Sequence, residues 1–374
     1  MKQIYFDNAA TTKPCEAAVA AAVNVMEDTF GNPSSMHAVG FAAEKVILRA
    51  AKTISPAVGA SENDVIFTSG GTEANNTAIF SATLANKYRA KKIITTRAEH
   101  PSILEAVKSL EKEGFETAYL RLTKSGKIDA DELHNLVDDN TALVTIAHVN
   151  SETGVIAPIS ELIRAVKAKN ARTLFHVDAV QSFRKLKLDF SADYMSLSGH
   201  KIHGIKGCGA LIAGKGVPLR PHIVGGGQQQ NRRSGTENTV SIAAFAAAVG
   251  DYRTLNDVSA IKSYIAEKIA EKGAVINSPL DETGSPYILN FSMPRVRSEV
   301  ALHAFEAEGV YISAGAACSS RKKVSGVLQA YGLPEELAKT ALRLSFCPQN
   351  TMEEAKAFIA VFNEIMPYLI KYGE

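Results

Sequence analysis

Residues 64–79 read DVIFTSGGTEANNTAI: a β-branched strand pattern, a glycine pair and the start of a helix. Strand and helix patterns continue to alternate along the chain as far as Ala213. Strands are predicted at Val65–Ser69, Lys92–Thr96, Leu143–Val149 and Leu174–Asp178, and helices at Thr72–Ala90, Ser102–Glu113 and Ile159–Asn170. This alternation predicts an α/β fold with βαβ crossovers and a mostly parallel sheet. Ligands of such sheets bind at the carboxyl ends of the strands.

The pattern changes after about Gly250 and indicates a smaller α+β domain. The predicted elements are one long helix (Thr239–Lys272), a strand (Tyr287–Met293), a helix (Ser298–Gly309), a strand (Ala341–Phe346) and a last helix from about Thr351. Thr351 and Glu354 fit a capping box. We therefore expect a large domain over residues 15–250, and a small domain formed by residues 1–14 and 251–374.

Composition excludes several classes of protein. The chain has 374 residues, is 46% hydrophobic and carries a net charge of +2, with scattered basic residues that do not favour nucleic-acid binding. Neither a signal peptide nor a membrane span is expected, because the apolar runs are too short. The four cysteines form no CxxC pair, which argues against structural zinc and a disulfide framework. A cytoplasmic enzyme with reduced thiols is expected.

A lysine and an aspartate are the first candidates for chemistry. Lys201 follows a strand in Ser198-Gly199-His200-Lys201, among small and polar residues that suit a Schiff-base lysine. Asp178 ends an apolar strand, where a carboxylate is costly unless it meets a cation such as a protonated pyridine nitrogen. A solvated lysine and a helix-capping aspartate are the structural alternatives.

An anion site and a flat ring are predicted nearby. In residues 68–73 (TSGGTE), Gly71 lets the backbone approach a phosphate, and Thr72 adds a hydroxyl at a helix N-terminus. His100 follows a strand end, where an imidazole can stack on an aromatic cofactor and move protons. A simple turn and a helix-start histidine are the alternatives.

Two further residues suggest a nucleophile and a carboxylate ligand. Cys318 lies in a small, polar run followed by Arg321, Lys322 and Lys323, cations that favour the reactive thiolate. Arg343 lies in an apolar strand and needs an anion, either a substrate carboxylate or an internal salt-bridge partner. A metal site built from Asp178, His200 and His203 is less favoured, because the two histidines are three apart on a non-helical stretch.

These residues together resemble the cysteine desulfurases, fold-type I pyridoxal-phosphate (PLP) enzymes of the class V aminotransferase superfamily. The resemblance covers nearly the whole chain, and its motifs occur in the family's order. They are YFDNAATT (5–12), GNPSS (31–35), TSGGTEANN (68–76), HVN (148–150), HVDAVQ (176–181), SGHKIHGIKG (198–207) and RSGT (233–236).

The resemblance implies a role for each matching residue. Lys201 would hold PLP, Asp178 would pair with the pyridine nitrogen and His100 would stack on the ring and shuttle the proton that activates Cys318. Asn150 and Gln181 would bond near the ring oxygen and the substrate. The phosphate ligands would be Gly71, Thr72, Ser198 and His200, with Thr236 reaching the phosphate of the other subunit of a homodimer. Arg343 would bind the carboxylate of L-cysteine, and Cys318 would receive the sulfur as a persulfide.

The implied function is sulfur supply to an acceptor protein for iron–sulfur cluster assembly or tRNA thiolation, because the cysteine loop has the length seen in the group I branch. Three positions depart from the family pattern: Ser151, Ile205 and Cys347. Cys347 shares strand alternation with Arg343, so it is either a second reactive thiol or a packing residue. The alternative function is a selenocysteine lyase or another PLP-dependent β-elimination enzyme.

Overall fold

The computed structural model describes residues 3–123, 126–253, 255–314 and 325–371. Within these ranges no helix combines the length and apolar character needed to cross a bilayer. The first strand, β1 (Ile4–Tyr5), precedes the large sheet in the chain and pairs elsewhere, as described below.

The centre of the fold is a seven-stranded sheet in the order β2-β8-β7-β6-β5-β3-β4. Its strands are β2 (Val65–Thr68), β3 (Lys92–Thr96), β4 (Glu116–Leu120), β5 (Thr141–Ala147), β6 (Leu174–Asp178), β7 (Tyr194–Ser198) and β8 (Gly209–Ala213). Only β8 runs against its neighbours, since both of its pairings are antiparallel. The predicted α/β class with a mostly parallel sheet is confirmed.

Helices cover both faces of this sheet. They are α1 (Glu16–Asp28), α2 (Ala38–Ile54), α3 (Gly71–Asn86), α4 (Pro101–Glu111), α5 (Ala130–Leu136), α6 (Ile159–Lys169) and α7 (Thr239–Asp251). Apolar side chains on one face of the sheet pack with α1, α2, α6 and α7, and those on the other face pack with α3 and α4. Strands buried on both faces explain the continuous apolar runs in the sequence.

The C-terminal part builds a second core around a four-stranded antiparallel sheet in the order β12-β13-β10-β9. Its four strands are β9 (Val275–Ile276), β10 (Ile288–Ser292), β12 (Ser313–Ala314) and β13 (Ala341–Ser345), and β11 (Val310–Tyr311) lies outside this sheet. The helices are α8 (Val258–Ala270), α9 (Ser298–Ala307), α10 (Gly326–Ala330), α11 (Glu335–Ala338) and α12 (Met352–Lys371). Strand β1 pairs in parallel with β11, and Ile4 and Phe6 are buried in this second core.

The single helix predicted over Thr239–Lys272 is wrong, because the chain forms two helices there. Helix α7 ends before Tyr252, whose backbone is extended, and α8 starts after Asp257, whose side chain accepts from Ala260 N. A capping aspartate of this kind competes with continuation of a helix. The capping box at α12 is confirmed: Thr351 Oγ1 accepts from Glu354 N, and Glu354 Oε2 accepts from Thr351 N.

Candidate active site

Parallel strands place the predicted site residues along one edge of the large sheet. His100 follows β3, Asn150 follows β5, Asp178 ends β6 and Lys201 follows β7 after one 3₁₀ turn. Gly71 begins α3, directly after β2, which runs in the same direction as β7. The carboxyl edge therefore gathers residues that are up to 130 positions apart (71 to 201) in the chain.

The Lys201 amine faces the N-terminal segment. Its Nζ donates to the carbonyls of Ala9 and Ala10, at 2.6 and 2.7 Å. The segment is held there because Thr12 N donates to His200 O at 2.9 Å. A stretch that starts in the second core thus forms one wall around the lysine of the large sheet.

Asp178 is buried and held in a fixed orientation. Its Oδ2 accepts from Asn75 Nδ2 at 2.9 Å, and its Oδ1 accepts from Val180 N at 3.0 Å. The hydrogen bond from Val180 N closes a local turn. It resembles the contact of a helix-capping aspartate, which was the structural alternative for Asp178 in the sequence analysis. Asn75 was not predicted from the sequence; it lies one turn into α3 and also donates to Ser102 Oγ.

His100 caps α4 and keeps a defined tautomer. Its Nδ1 accepts from Ser102 N at 3.1 Å, so the neutral ring carries its hydrogen on Nε2. Partial desolvation lowers the pKa of His100; the Asp178 carboxylate opposes this shift and the Lys201 ammonium adds to it. The ring is therefore neutral at physiological pH and able to donate from Nε2.

The start of α3 and the end of β7 form a cradle for an anion. The first N–H groups of a helix have no acceptor within the helix. Ser198 beside them is buried, and its Oγ has no hydrogen-bond partner among the described residues. A Cβ added at Gly71 would lie 3.7 Å from Ser198 Cβ and 2.8 Å from Val180 Cγ2, so the glycine keeps the cradle open. An orphaned hydroxyl at a helix N-terminus fits a phosphate.

His200 completes this side of the site. Its Nδ1 lies 3.1 Å from Thr11 Oγ1. Burial, followed by the charges of Lys201, Lys206 and Lys185, lowers the pKa of His200 to about 4. The ring is neutral at physiological pH, so it would contact an anion as a hydrogen-bond donor rather than as a cation.

The two amide residues of the predicted site have protein partners of their own. Asn150 Oδ1 accepts from Glu152 N and Thr153 N, and its Nδ2 donates to Ala98 O at 2.9 Å. Gln181 Nε2 donates to Ala9 O at 2.9 Å. Both amides thus support the loops around the site in addition to any ligand contact.

Arg343 has the internal salt bridge that the sequence left as its alternative. One terminal nitrogen donates to Asp7 Oδ1 and the other to Ser151 O, each at 2.8 Å. Its Nε is buried and has no partner in the described part of the chain. Cys347 is also buried, which raises the pKa of its thiol to about 11 and favours the packing role.

The segment that carries Thr236 is bonded to β2 and to the first turn of α3. Gln229, Gln230 and Asn231 all have left-handed backbone angles, which are strained for these residues. The Gln229 amide pairs with both backbone groups of Phe67 on β2 at 2.8 Å. Arg233 forms a two-pronged ion pair with Glu73 in the first turn of α3. Thr236 itself is exposed.

Cys318 lies outside the described residues, whereas Ser325, where the described chain resumes, is anchored at the site. Ser325 Oγ donates to Glu152 Oε2 at 2.6 Å. Burial raises the pKa of Glu152 to about 7, against the lowering effects of Ser325 and Arg343. This carboxylate, two residues after Asn150, was not predicted as part of the site.

No metal site is found among the residues that the structure describes: no group of three His, Cys, Asp or Glu side chains could hold an ion there. His200 and His203 face different partners, since His203 Nδ1 lies 2.9 Å from Lys13 O.

Comparison with known proteins identifies the family. The Aminotransferase class-V family matches residues 4–358. A NifS/IcsS protein homolog of Lactobacillus delbrueckii subsp. bulgaricus is 40% identical, with 98% of each chain covered. A cysteine desulfurase of Nostoc sp. is 37% identical over 99% of this chain and 94% of its own. The chain belongs to the cysteine desulfurase family. A solved NifS-like protein has a TM-score of 0.92 at 34% identity, over 98% of this chain and 100% of its own.

Cysteine desulfurases are PLP enzymes with this fold, so the resemblance inferred from the sequence motifs is confirmed and the lyase alternative is not favoured. The residues present fit the cofactor: an amine at Lys201, a fixed carboxylate at Asp178 and a Ser198 hydroxyl with no hydrogen-bond partner among the described residues match the three groups that PLP requires.

Proposed function

We propose that the protein converts L-cysteine to L-alanine with PLP and keeps the sulfur as a persulfide on Cys318. The observation that carries this proposal is that Lys201, Asp178 and Ser198, whose hydroxyl has no partner within the described ranges, lie at one edge of the sheet. Membership of the cysteine desulfurase family supports the same assignment.

Cofactor binding is assigned to residues from five strand ends. The phosphate would lie at the N-terminus of α3, and the ring between His100 and the β6 end, with Asp178 at its nitrogen. When bound, PLP withdraws electrons from the α-carbon of the amino acid and makes its proton acidic. The assigned residues are Gly71, Thr72, His100, Asn150, Asp178, Gln181, Ser198, His200 and Lys201.

Substrate orientation is assigned to Arg343, with Asn150 beside it. A guanidinium has five N–H donors. Asp7 and Ser151 accept one hydrogen bond each, and the buried Nε–H of Arg343 has no acceptor in the described residues. Such a group is costly to leave unpaired, and a substrate carboxylate would satisfy it.

Proton movements are assigned to Lys201 and His100. Lys201 Nζ removes the proton of the substrate α-carbon. The amine is positioned at the site by the carbonyls of Ala9 and Ala10. His100 offers a hydrogen bond from Nε2–H, because its Nδ1 accepts from the backbone of Ser102. Since the ring begins neutral, it must take up a proton before it can give one up.

Sulfur transfer is assigned to Cys318. Its thiolate attacks the sulfur of the bound cysteine, an S–S bond forms and the C–S bond breaks. The electron pair of the broken bond stays with carbon, which takes up a proton and leaves as L-alanine. The step needs no external oxidant, and the persulfide then passes to an acceptor protein of iron–sulfur cluster assembly or tRNA thiolation.

A homodimer is part of the proposal, with Thr236 of each subunit reaching the phosphate bound by its partner. Large apolar side chains are exposed on and around α1 and α2, where they would meet a second copy of the chain. They are Val19, Met26, Phe30, Met36, Phe41 and Leu48. The fastening of residues 229–233 to β2 and α3 would fix the segment that carries Thr236.

The test measures alanine and sulfide formed from L-cysteine with a thiol reductant. Native protein should form both in equal amounts, and Cys318→Ala should lose both, while Cys15→Ala, at a cysteine that forms no disulfide among the described residues, should keep native rates. Undiminished sulfide release by Cys318→Ala would overturn the persulfide assignment. Selenocysteine as a second substrate separates a lyase, which would use it without Cys318.

A further inference from the structure

Lys185 joins a chain of hydrogen bonds that ends at the proposed catalytic lysine. Its Nζ lies 3.2 Å from Gln181 Oε1. Gln181 Nε2 donates to Ala9 O at 2.9 Å, and Lys201 Nζ donates to the same carbonyl at 2.6 Å. Lys185, Gln181, Ala9 and Lys201 are thus connected through direct polar contacts.

The polarity of these contacts fixes the Gln181 amide in one orientation. A backbone carbonyl can only accept, so the Nε2 end must face Ala9. The Oε1 end then faces Lys185, whose amine donates whether or not it carries the extra proton. Without this donor the buried oxygen would lose its partner, and the amide would gain the freedom to turn over.

The surroundings of Lys185 are unusual for a structural lysine. Burial, and then the charges of Lys201 and Arg343, lower its pKa to about 7, against the opposite effect of Cys347. The charge of Lys185 in turn lowers the pKa of His200. Amines placed among cations in this way concentrate at functional sites. By contrast, Lys187, two residues further along, is exposed.

We propose that Lys185 is a positioning residue of this site: its amine holds the Gln181 amide so that Nε2 faces the ring oxygen of bound PLP. Nε2 carries two hydrogens, of which Ala9 accepts one, and the second is assigned to the cofactor. The inference rests on the proposed cofactor site and adds a residue that acts on the cofactor only through Gln181.

The test is a double-mutant cycle on the PLP-loaded protein, with the pH titration of its visible absorption as the readout. Loss of a donor to the ring oxygen favours the protonated chromophore, so Lys185→Met should raise the titration midpoint by about half a pH unit or more. Lys185→Arg keeps a donor and should stay near the native midpoint, as should the control Lys187→Met.

The cycle separates positioning from a simple charge effect. In a Gln181→Met background, Lys185→Met should add less than about 0.2 pH unit, because the amide through which it acts is gone. Equal shifts in both backgrounds, or no shift in either, would overturn the inference. If Lys185→Met does not fold, Lys185→Gln takes its place, since it is too short to bridge to Oε1.

PLP affinity of the reconstituted protein gives a second readout. Lys185→Met should weaken it about threefold to tenfold, in line with one misplaced hydrogen bond. A native protein that forms no visible chromophore with PLP would refute the proposed function itself. A native chromophore that ignores Lys185 would refute only this inference.

Discussion

Glu99 leads to a stability prediction that depends on pH. The carboxyl group is buried between two strand ends, where Oε1 accepts from Thr96 Oγ1 and Oε2 accepts from Ala147 N, each at 2.8 Å. Burial, with a smaller contribution from the Asp178 charge, raises the pKa of Glu99 from 4.5 to about 8, although the two hydrogen bonds oppose the shift. At neutral pH the folded protein therefore keeps Glu99 protonated.

The sign and size of the effect follow from this raised pKa. Stability from the protonated group is fully present below pH 4.5 and is lost as pH rises through about 8, because the unfolded chain ionises first. At about 1.4 kcal/mol per pH unit, the interval corresponds to at most about 5 kcal/mol. Glu99→Gln removes this dependence and keeps the shape, since its amide accepts from Ala147 N and donates to Thr96 Oγ1.

The assay is urea unfolding of the cofactor-free protein at pH 5 and pH 8.5. The gain of Glu99→Gln over native protein should be several kcal/mol larger at pH 8.5 than at pH 5. Glu105→Gln, at an exposed position on α4, should change little at either pH. Equal differences between Glu99→Gln and native protein at both pH values would refute the reasoning.

Three further predictions concern ligand binding. Ser198→Ala should weaken PLP binding about tenfold or more, since a hydrogen bond to a charged group is lost, and it should not lower the melting temperature of the cofactor-free protein. Fluorescence titration and a thermal melt measure the two quantities, and an unchanged PLP affinity would contradict the prediction. Arg343→Lys should raise KM for L-cysteine about tenfold or more with an unchanged PLP spectrum; an unchanged KM removes Arg343 from the carboxylate pocket. Arg233→Gln breaks the ion pair with Glu73 and should weaken PLP binding, while sedimentation should show that the protein is still a dimer. A native PLP affinity would show that the ion pair does not position the segment that carries Thr236.

Periodicity predicted most of the fold because buried parallel strands have a strong signal. Lys92–Thr96 and Leu174–Asp178 match the observed strands at both ends, and the helix predicted at Ile159–Asn170 ends one residue early. Strand β4 escaped prediction because its mixed residues occupy a sheet edge with partial exposure. The break between α7 and α8 depends on an aspartate cap, which an apolar pattern does not reveal.

The site was predictable where the chemistry depends on local motifs at strand ends. Lys201, Asp178 and His100 fall at one edge, as expected for a parallel sheet. The partners of Lys201 and Arg343 were not predictable, because they come from distant segments. Asp7 reaches Arg343 across 336 positions, and Ala9 reaches Lys201 across 192. Tertiary packing alone decides such contacts.

The most direct test of the central claim is mass analysis of Cys318 after one turnover. Native protein loaded with PLP is mixed with one equivalent of L-cysteine, alkylated without reductant and digested. The account predicts that the Cys318 peptide gains one sulfur atom in step with the alanine formed, while the Cys347 peptide gains none. Alanine formed with no extra sulfur on Cys318, or with the sulfur on Cys347, would contradict it.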